Sequence, residues 1–324
     1  MRLVFELSGE HPTLPRAELA AVLRSLGETT SIPEGRVVAV DSAVDPAVLG
    51  RRLALTHFVH EEIVAGDFGD ILDAAGGLAP GAQTFSVRVK SYVTCRGKQE
   101  MERRVADRIK GAVDLVNPGV EYLVLITANG HRLVRRIAQT DRSAFERRRP
   151  MLRPFFHPST LHPRFARALV NLSRCPPGGT IADPFCGTGG ILLEAALSGF
   201  QARGLDASAK MIAGAMETLA AFGVTADLHV GDVALLREVE GVQGVVTDPP
   251  YGRAASTQRE PVESLYRRFF EAAASHTRRG AVVSVILPAA EHVELGQELL
   301  RLEEVHVQRV HRSLERRFCV FSAR

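Results

Sequence analysis

The chain has 324 residues, of which 45% are hydrophobic and 24% charged, with no Trp and four cysteines. At roughly 150 residues per domain this length predicts two domains, and the composition excludes a disordered or low-complexity chain. No apolar run reaches the ~20 residues of a membrane span. Met1-Arg-Leu-Val-Phe-Glu-Leu reads as no secretion signal, so a cytoplasmic protein with no membrane partner is expected. Cys95, Cys175, Cys186 and Cys319 form no Cys-x-x-Cys pair, which argues against a disulfide framework or zinc site, and no metal is expected. The net charge of +3 is unevenly spread: residues 131–170 hold ten arginines against Asp141 and Glu146, and residues 88–110 hold eight Arg or Lys against three acids. Such stretches suit a polyanionic partner, or else are solvated helix faces.

In chain order, the first half reads as α+β. Arg2–Leu7 predicts a strand, and Arg16–Leu26 a helix with Leu19, Val22, Leu23 and Leu26 at helical spacing before Gly27. Residues 36–40 predict a short strand and 47–55 a helix. Phe85–Val89 alternates, with Phe85, Val87 and Val89 on one side. Residues 100–113 predict a helix whose apolar stripe is Met101, Val105, Ile109 and Val113. Residues 122–127 and 132–137 predict strands joined through Ala128-Asn129-Gly130-His131, a hairpin signal. A Pro- and Arg-rich stretch from Phe145 to Pro163 is expected to connect two domains. From about 164, strands at 180–183, 202–205, 227–230, 244–247 and 281–287 alternate with helices at 165–172, 191–198, 210–222, 265–275 and 293–300. This predicts a doubly wound α/β fold with a mainly parallel sheet, closed by a terminal hairpin of 305–310 and 318–321 around Ser313-Leu314-Glu315.

Three features carry chemistry. Asp183-Pro184-Phe185-Cys186-Gly187-Thr188-Gly189-Gly190 falls where a strand passes into a helix. Its glycines permit a sharp turn and close approach to a ligand, and its acid suits a cationic amine. No Gly-Lys-[Ser/Thr] follows, so it is not a phosphate loop. Next, Asp206 and Asp232 end the following two strands. Asp206 stands 23 residues beyond Asp183, a spacing at which doubly wound folds bind ribose hydroxyls. Asp232 could accept the exocyclic amine of an adenine, and each acid could equally be a helix cap. Finally, Asp248-Pro249-Pro250-Tyr251-Gly252 follows an apolar strand. Two prolines fix the backbone and remove donors, leaving the Asp248 carboxylate and nearby carbonyls as acceptors for a base amine, with Tyr251 as a stacking face.

The pair Asp183-Pro-Phe-Cys-Gly-Thr-Gly and Asp248-Pro-Pro-Tyr-Gly resembles the S-adenosylmethionine-dependent amino-methyltransferases of Rossmann fold. Together with the basic first half, with Arg153-Pro-Phe-Phe-His-Pro-Ser-Thr-Leu-His-Pro163 and with Val310-His-Arg-Ser-Leu314, it resembles the archaeal tRNA (guanine-10, N2) methyltransferases, which carry a THUMP module. The resemblance implies a seven-stranded methyltransferase domain over 164–324. It also implies a ferredoxin-like piece over 1–50, a THUMP RNA-binding domain over 51–140 and a linker over 141–163. S-adenosylmethionine would be held by Asp183, Phe185, Gly187, Gly189, Asp206 and Asp232. Asp248, Pro249 and Tyr251 would act on the exocyclic N2 amine of a guanosine in tRNA, most simply at position 10, in one or two rounds. Arg88, Lys90, Arg96, Lys98, Arg135, Arg148 and Arg153 would meet RNA phosphates, and a monomer is expected. His157 and His162 are either catalytic or packing residues, and Cys186 reads as a small buried residue. Two other readings stay open: adenine-N6 methylation of RNA or DNA, which uses the same Asp-Pro-Pro-Tyr chemistry, and a non-enzymatic RNA-binding protein.

Overall fold

The computed structural model describes residues 1–157, 160–251, 260–277, 279–311 and 314–324. They divide into two units: Met1–Gly9, Thr30–Arg51 and Thr56–Thr140 form the first, and Glu10–Thr29, Arg52–Leu55 and Asp141–Arg324 the second.

The first unit is a six-stranded sheet in the order β2-β1-β3-β6-β5-β4. Its strands are β1 (Arg2–Leu7), β2 (Val37–Asp41), β3 (Thr56–Gly66), β4 (Phe85–Ser91), β5 (Val120–Thr127) and β6 (Gly130–Gln139). Neighbours are antiparallel except β4 and β5. Strands from the two expected pieces, 1–50 and 51–140, thus share one sheet, while residues 10–29 and 52–55 belong to the second unit. The Phe85, Val87 and Val89 stripe packs on Ile71, Leu72 and Ala75 of a helix at Phe68–Gly76. The hairpin forms as expected, with Thr127 paired to Gly130 and Gly130 at φ +112°. The helix expected over 100–113 spans only Lys98–Ala106. The chain leaves it to pass over Phe85, where a Cβ at Gly111 would lie 3.2 Å from the Phe85 ring, and Val113 ends 53% exposed.

The helices of the first unit include α2 (Pro46–Arg52), α3 (Phe68–Gly76) and α4 (Lys98–Ala106); the second unit contains α1 (Leu14–Ser25), the short helix α5 (Arg142–Arg147), a 3-10 turn at Pro150–Leu152, and then the expected alternation. The strands are β7 (Thr180–Asp183), β8 (Gln201–Asp206), β9 (Asp227–Val230), β10 (Val242–Thr247), β11 (Val282–Leu287), β12 (Arg301–His311) and β13 (Leu314–Ser322). The order is β12-β13-β11-β10-β7-β8-β9. β7 to β11 run parallel, and β13 is antiparallel to both its neighbours. Successive strand residues serve opposite cores. Val246, Phe318 and Val320 join the cluster under helices α6 (Pro163–Leu172), α7 (Gly190–Leu197) and α8 (Ala209–Ala221). Val245, Cys319 and Phe321 join the one under α9 (Val262–Thr277) and α10 (Ala290–Leu299). Burial on both faces explains why these strands read as near-continuous apolar runs.

β7 stands between β8 and β10, so the strand order reverses there and opens a crevice at the carboxyl edge. Residues 141–163 belong to this unit, and so does α1. Glu18 of α1 is fully buried and accepts N–H bonds from Ala54 (2.9 Å), Leu55 (2.8 Å) and the Asn171 amide (2.8 Å). Among the described residues no helix is long and apolar enough to cross a membrane.

Candidate active site

The site begins where β7 ends. Asp183 is buried, and its Oδ1 accepts the Phe185 N–H (3.1 Å) and the hydroxyl of Thr247, the last residue of β10 (2.6 Å). One carboxylate therefore ties together the two strand ends on either side of the crevice. Burial pushes its pKa up to about 7, with the charges of Asp206 and Asp248 adding to the rise and the two hydrogen bonds opposing it.

The turn that follows needs its glycines. Gly187 and Gly189 have φ of +50° and +76°. A Cβ at Gly189 would also sit 3.1 Å from the Ala215 Cβ, so this residue lets α7 approach α8. The Gly187 N–H donates to Asp206 Oδ2 (2.9 Å) and the Ser208 N–H to Oδ1 (2.8 Å), which locks the carboxylate that ends β8. Phe185 is half-buried, edge-on to Phe269 of α9 (5.8 Å between centroids).

Asp248 follows β10. Its Oδ1 accepts the Tyr251 hydroxyl (2.5 Å), and burial raises its pKa to about 6 against the opposing charge of Arg316 on β13. The Pro250 carbonyl accepts the hydroxyl of Tyr266, a fully buried residue of α9 (3.0 Å). The turn after Thr247 is thereby held from both sides. Asp232 caps a 3-10 turn at Val233–Glu238 by accepting the Ala234 N–H (2.9 Å). It also accepts a bond from Arg268, which holds its carboxyl below the usual range.

A cavity of about 440 Å³ opens along this edge, lined by Asp183, Phe185, Gly187, Asp206, Asp232 and Asp248. Four carboxylates from four strand ends converge on it. Gly189, Pro249 and Tyr251 are not among its lining residues. Pro249 is buried, and the Tyr251 ring packs against the core cluster of β7 while its hydroxyl serves Asp248. Tyr251 is therefore a support for Asp248 rather than the open stacking face expected. His157 and Thr160 complete the wall. His162 instead caps α6, accepting the Arg164 N–H (3.3 Å). Cys186 is buried, which raises its thiol pKa and fits a packing residue. Gly252, Pro158, Ser159, Arg312 and Ser313 lie outside the described residues.

The basic residues separate into two groups. In the first unit Arg96 and Lys98 are exposed, Arg88 is exposed with a bond to the Leu115 carbonyl (3.1 Å), Arg135 pairs with Glu61 (2.6 Å) and Lys90 pairs with Glu6. In the second unit Arg148 makes two bonds to buried Glu194 (2.8 and 3.1 Å), and Arg153 is 5% exposed, donating to the Arg148 carbonyl (2.9 Å). Arg148 and Arg153 are thus internal struts and not the phosphate contacts expected. Thr247, Tyr266, Arg268, Glu260 and Arg316 had no signal of their own, since each meets the site across a long sequence separation.

A doubly wound unit of this strand order, with four acids on its carboxyl edge and Asp-Pro-Pro-Tyr at the switch point, is that of a methyltransferase. Residues 150–317 match the family described as RMKL-like, methyltransferase domain. The chain is 37% identical, over 98% of both chains, to the tRNA (guanine(10)-N2)-dimethyltransferase of Methanothermobacter thermautotrophicus. It is 30% identical to the enzyme of the same name from Pyrococcus abyssi, over 98% of this chain and 99% of the other. In fold it resembles TrmN from Thermus thermophilus, with a TM-score of 0.57 and 22% identity over 99% of this chain and 100% of that one. The chain belongs to the RMKL-like methyltransferases and, among them, to the family of the tRNA (guanine(10)-N2)-dimethyltransferases.

Proposed function

We propose that the protein transfers methyl groups from S-adenosylmethionine to the exocyclic N2 amine of a guanosine in tRNA, at position 10 and in two successive rounds. The carrying observation is the single cavity in which Asp248 lies beside the carboxylates that end β7 and β8 and the one that follows β9. This donor set fits the cofactor: a ligand with an ammonium, a sulfonium, a vicinal diol and an exocyclic amine meets four acids. A cavity of about 440 Å³ is also of the size that small-molecule sites take. Asp183 and the turn at Gly187 would hold the methionine part, Asp206 the ribose and Asp232 the adenine.

The cofactor, when bound, supplies a methyl group on a positively charged sulfur. The remaining chemistry belongs to the chain. A guanine N2 lone pair is delocalised into the ring, so the amine is a poor nucleophile. Asp248 accepts an N–H bond from the amine, which orients the nitrogen and favours its lone pair. As the N–C bond forms and the C–S bond breaks, positive charge develops on nitrogen. Asp248 stabilises it and takes the released proton. The Tyr251 hydroxyl fixes the Asp248 carboxylate, and Tyr266 fixes the Pro250 carbonyl beside it. The first unit is proposed as the ferredoxin-like and THUMP region that grips tRNA through exposed cations such as Arg96 and Lys98, and the target base is extruded to reach the cavity.

The test is transfer of label from S-adenosylmethionine to unmodified tRNA transcripts, followed by nucleoside analysis, with wild type and Asp248→Ala run in parallel. N2-methylguanosine and its dimethyl form, lost in the variant, are expected. N6-methyladenosine, or no label, would overturn the proposal.

A further inference from the structure

Arg268 lies on α9 and reaches the end of the cavity that holds Asp232. Its guanidinium makes three bonds to two carboxylates. Nη1 donates to Asp232 Oδ1 (2.5 Å), Nε to Glu260 Oε1 (3.1 Å) and Nη2 to Glu260 Oε2 (2.6 Å). The Glu260 contact is a two-pronged fork, the arrangement that fixes the plane of a guanidinium. Glu260 is itself held by the Ser264 hydroxyl (2.6 Å). Asp232 Oδ1 also accepts the Ala234 N–H (2.9 Å), so one oxygen carries both the cap bond and the Arg268 bond.

We infer that Arg268 is a positioning residue that sets the preference of the cavity for a 6-amino purine over a 6-oxo purine. The inference rests on the reading that Asp232 meets the adenine of the cofactor. An adenine amine donates hydrogen bonds, whereas a 6-oxo group accepts them. Asp232 discriminates only if its carboxylate is ionised, correctly rotated and unable to turn away. Held by the Ala234 N–H alone, a half-exposed carboxylate still turns about that one bond and hydrates, and either purine then finds water as a partner. Arg268 removes that freedom by gripping Oδ1, which leaves Oδ2 to accept the amine. Glu260 presets the guanidinium before the ligand arrives, so this arrangement needs no rearrangement on binding. The side chains of the Arg268 pairs are about a quarter to a half exposed, so their value lies in geometry more than in stability.

The experiment measures binding, not turnover. S-adenosylhomocysteine and its inosine counterpart are titrated calorimetrically into the full-length protein and into Arg268→Ala, Arg268→Lys, Glu260→Gln and Asp232→Asn. Wild type should prefer the adenosyl ligand by about tenfold or more, the scale of one hydrogen bond to a charged group. Arg268→Ala should reduce the preference to about threefold or less. Arg268→Lys and Glu260→Gln, which keep a cation near Asp232 but lose the fork or weaken it, should fall between. If Asp232→Asn abolishes the preference while Arg268→Ala and Glu260→Gln keep it within about twofold of wild type, the inference about Arg268 fails and the placement of adenine stands. If Asp232→Asn leaves the preference intact, the adenine placement fails, and the inference with it.

Discussion

At one end of the cavity Asp183 is buried and Asp248 partly buried, and burial raises their carboxyls to about 7 and about 6. At the other end Asp232 is half-exposed, and Arg268 holds its carboxyl below the usual range. The same residue type at the end of three parallel strands has thus been given two electrostatic characters. Clustered, buried acids lower their own repulsion when a cation arrives or a proton is taken up. A cation-paired acid stays charged and serves as a fixed acceptor. The first character suits the methionine part of the cofactor and the reacting amine, and the second suits recognition of a neutral base.

The largest effect tests the reactive end. Asp248→Asn keeps the shape but removes the charge and the proton acceptor. Its single-turnover rate on tRNA should fall about 10²–10⁴-fold, while affinity for S-adenosylhomocysteine changes little. Next is the pH dependence. In the free protein Asp183 is half-protonated at about pH 7, and an ammonium group beside it favours the ionised form. Affinity is therefore highest just above that pH, while the ammonium keeps its proton, and falls below it by up to about tenfold per pH unit. Calorimetry in buffers of different ionisation enthalpy should show proton release on binding below pH 7. The transfer rate should lose a further limb near pH 6 as Asp248 protonates. Asp232, already ionised, should add no step between pH 5 and 9, and a step traced to it by Asp232→Asn would break the comparison.

A smaller change sharpens it. Thr247→Val removes a hydrogen bond that draws the Asp183 carboxyl downward, so the binding limb should move to higher pH by about one unit or less. The limb due to Asp248 should stay where it is.

Much of this end of the molecule was legible in the sequence. The parallel strands read clearly because both faces are buried, and Asp183, Asp206, Asp232 and Asp248 each fall at the end of a strand or within two residues of it. What was not legible depends on pairing at a distance. Arg148 and Arg153 look like phosphate contacts in a run of arginines, but Glu194, 46 residues beyond Arg148, turns the former inward. Thr247, Arg268 and Tyr266 sit in ordinary strand and helix patterns and acquire roles only through the fold. β3 was not among the expected elements; its pairing with β6 shifts register twice, at Val59/His60 and at Glu62/Val64, so the face that each side chain takes changes along the strand. The helix after Gly97 stopped early because its last apolar position, Val113, belongs to a later crossing over Phe85.

The smallest expected effect separates electrostatics from position at the reactive end. Tyr266 contributes no charge to the cavity; its buried hydroxyl only holds the Pro250 carbonyl at 3.0 Å. Tyr266→Phe deletes that one bond and leaves a buried carbonyl short of a partner, at about 1 kcal/mol of stability, measured by urea unfolding. If Asp248 acts through its charge alone, the transfer rate of this variant should equal wild type. If the turn must also be held in register for the amine to meet Asp248, the rate should fall about 3- to 10-fold. In that case the limb due to Asp183 should stay unmoved, because its bonds to Phe185 and Thr247 are untouched. We expect the second outcome, since Pro249 and Pro250 deprive this turn of backbone donors and leave side chains such as Tyr266 to fix it.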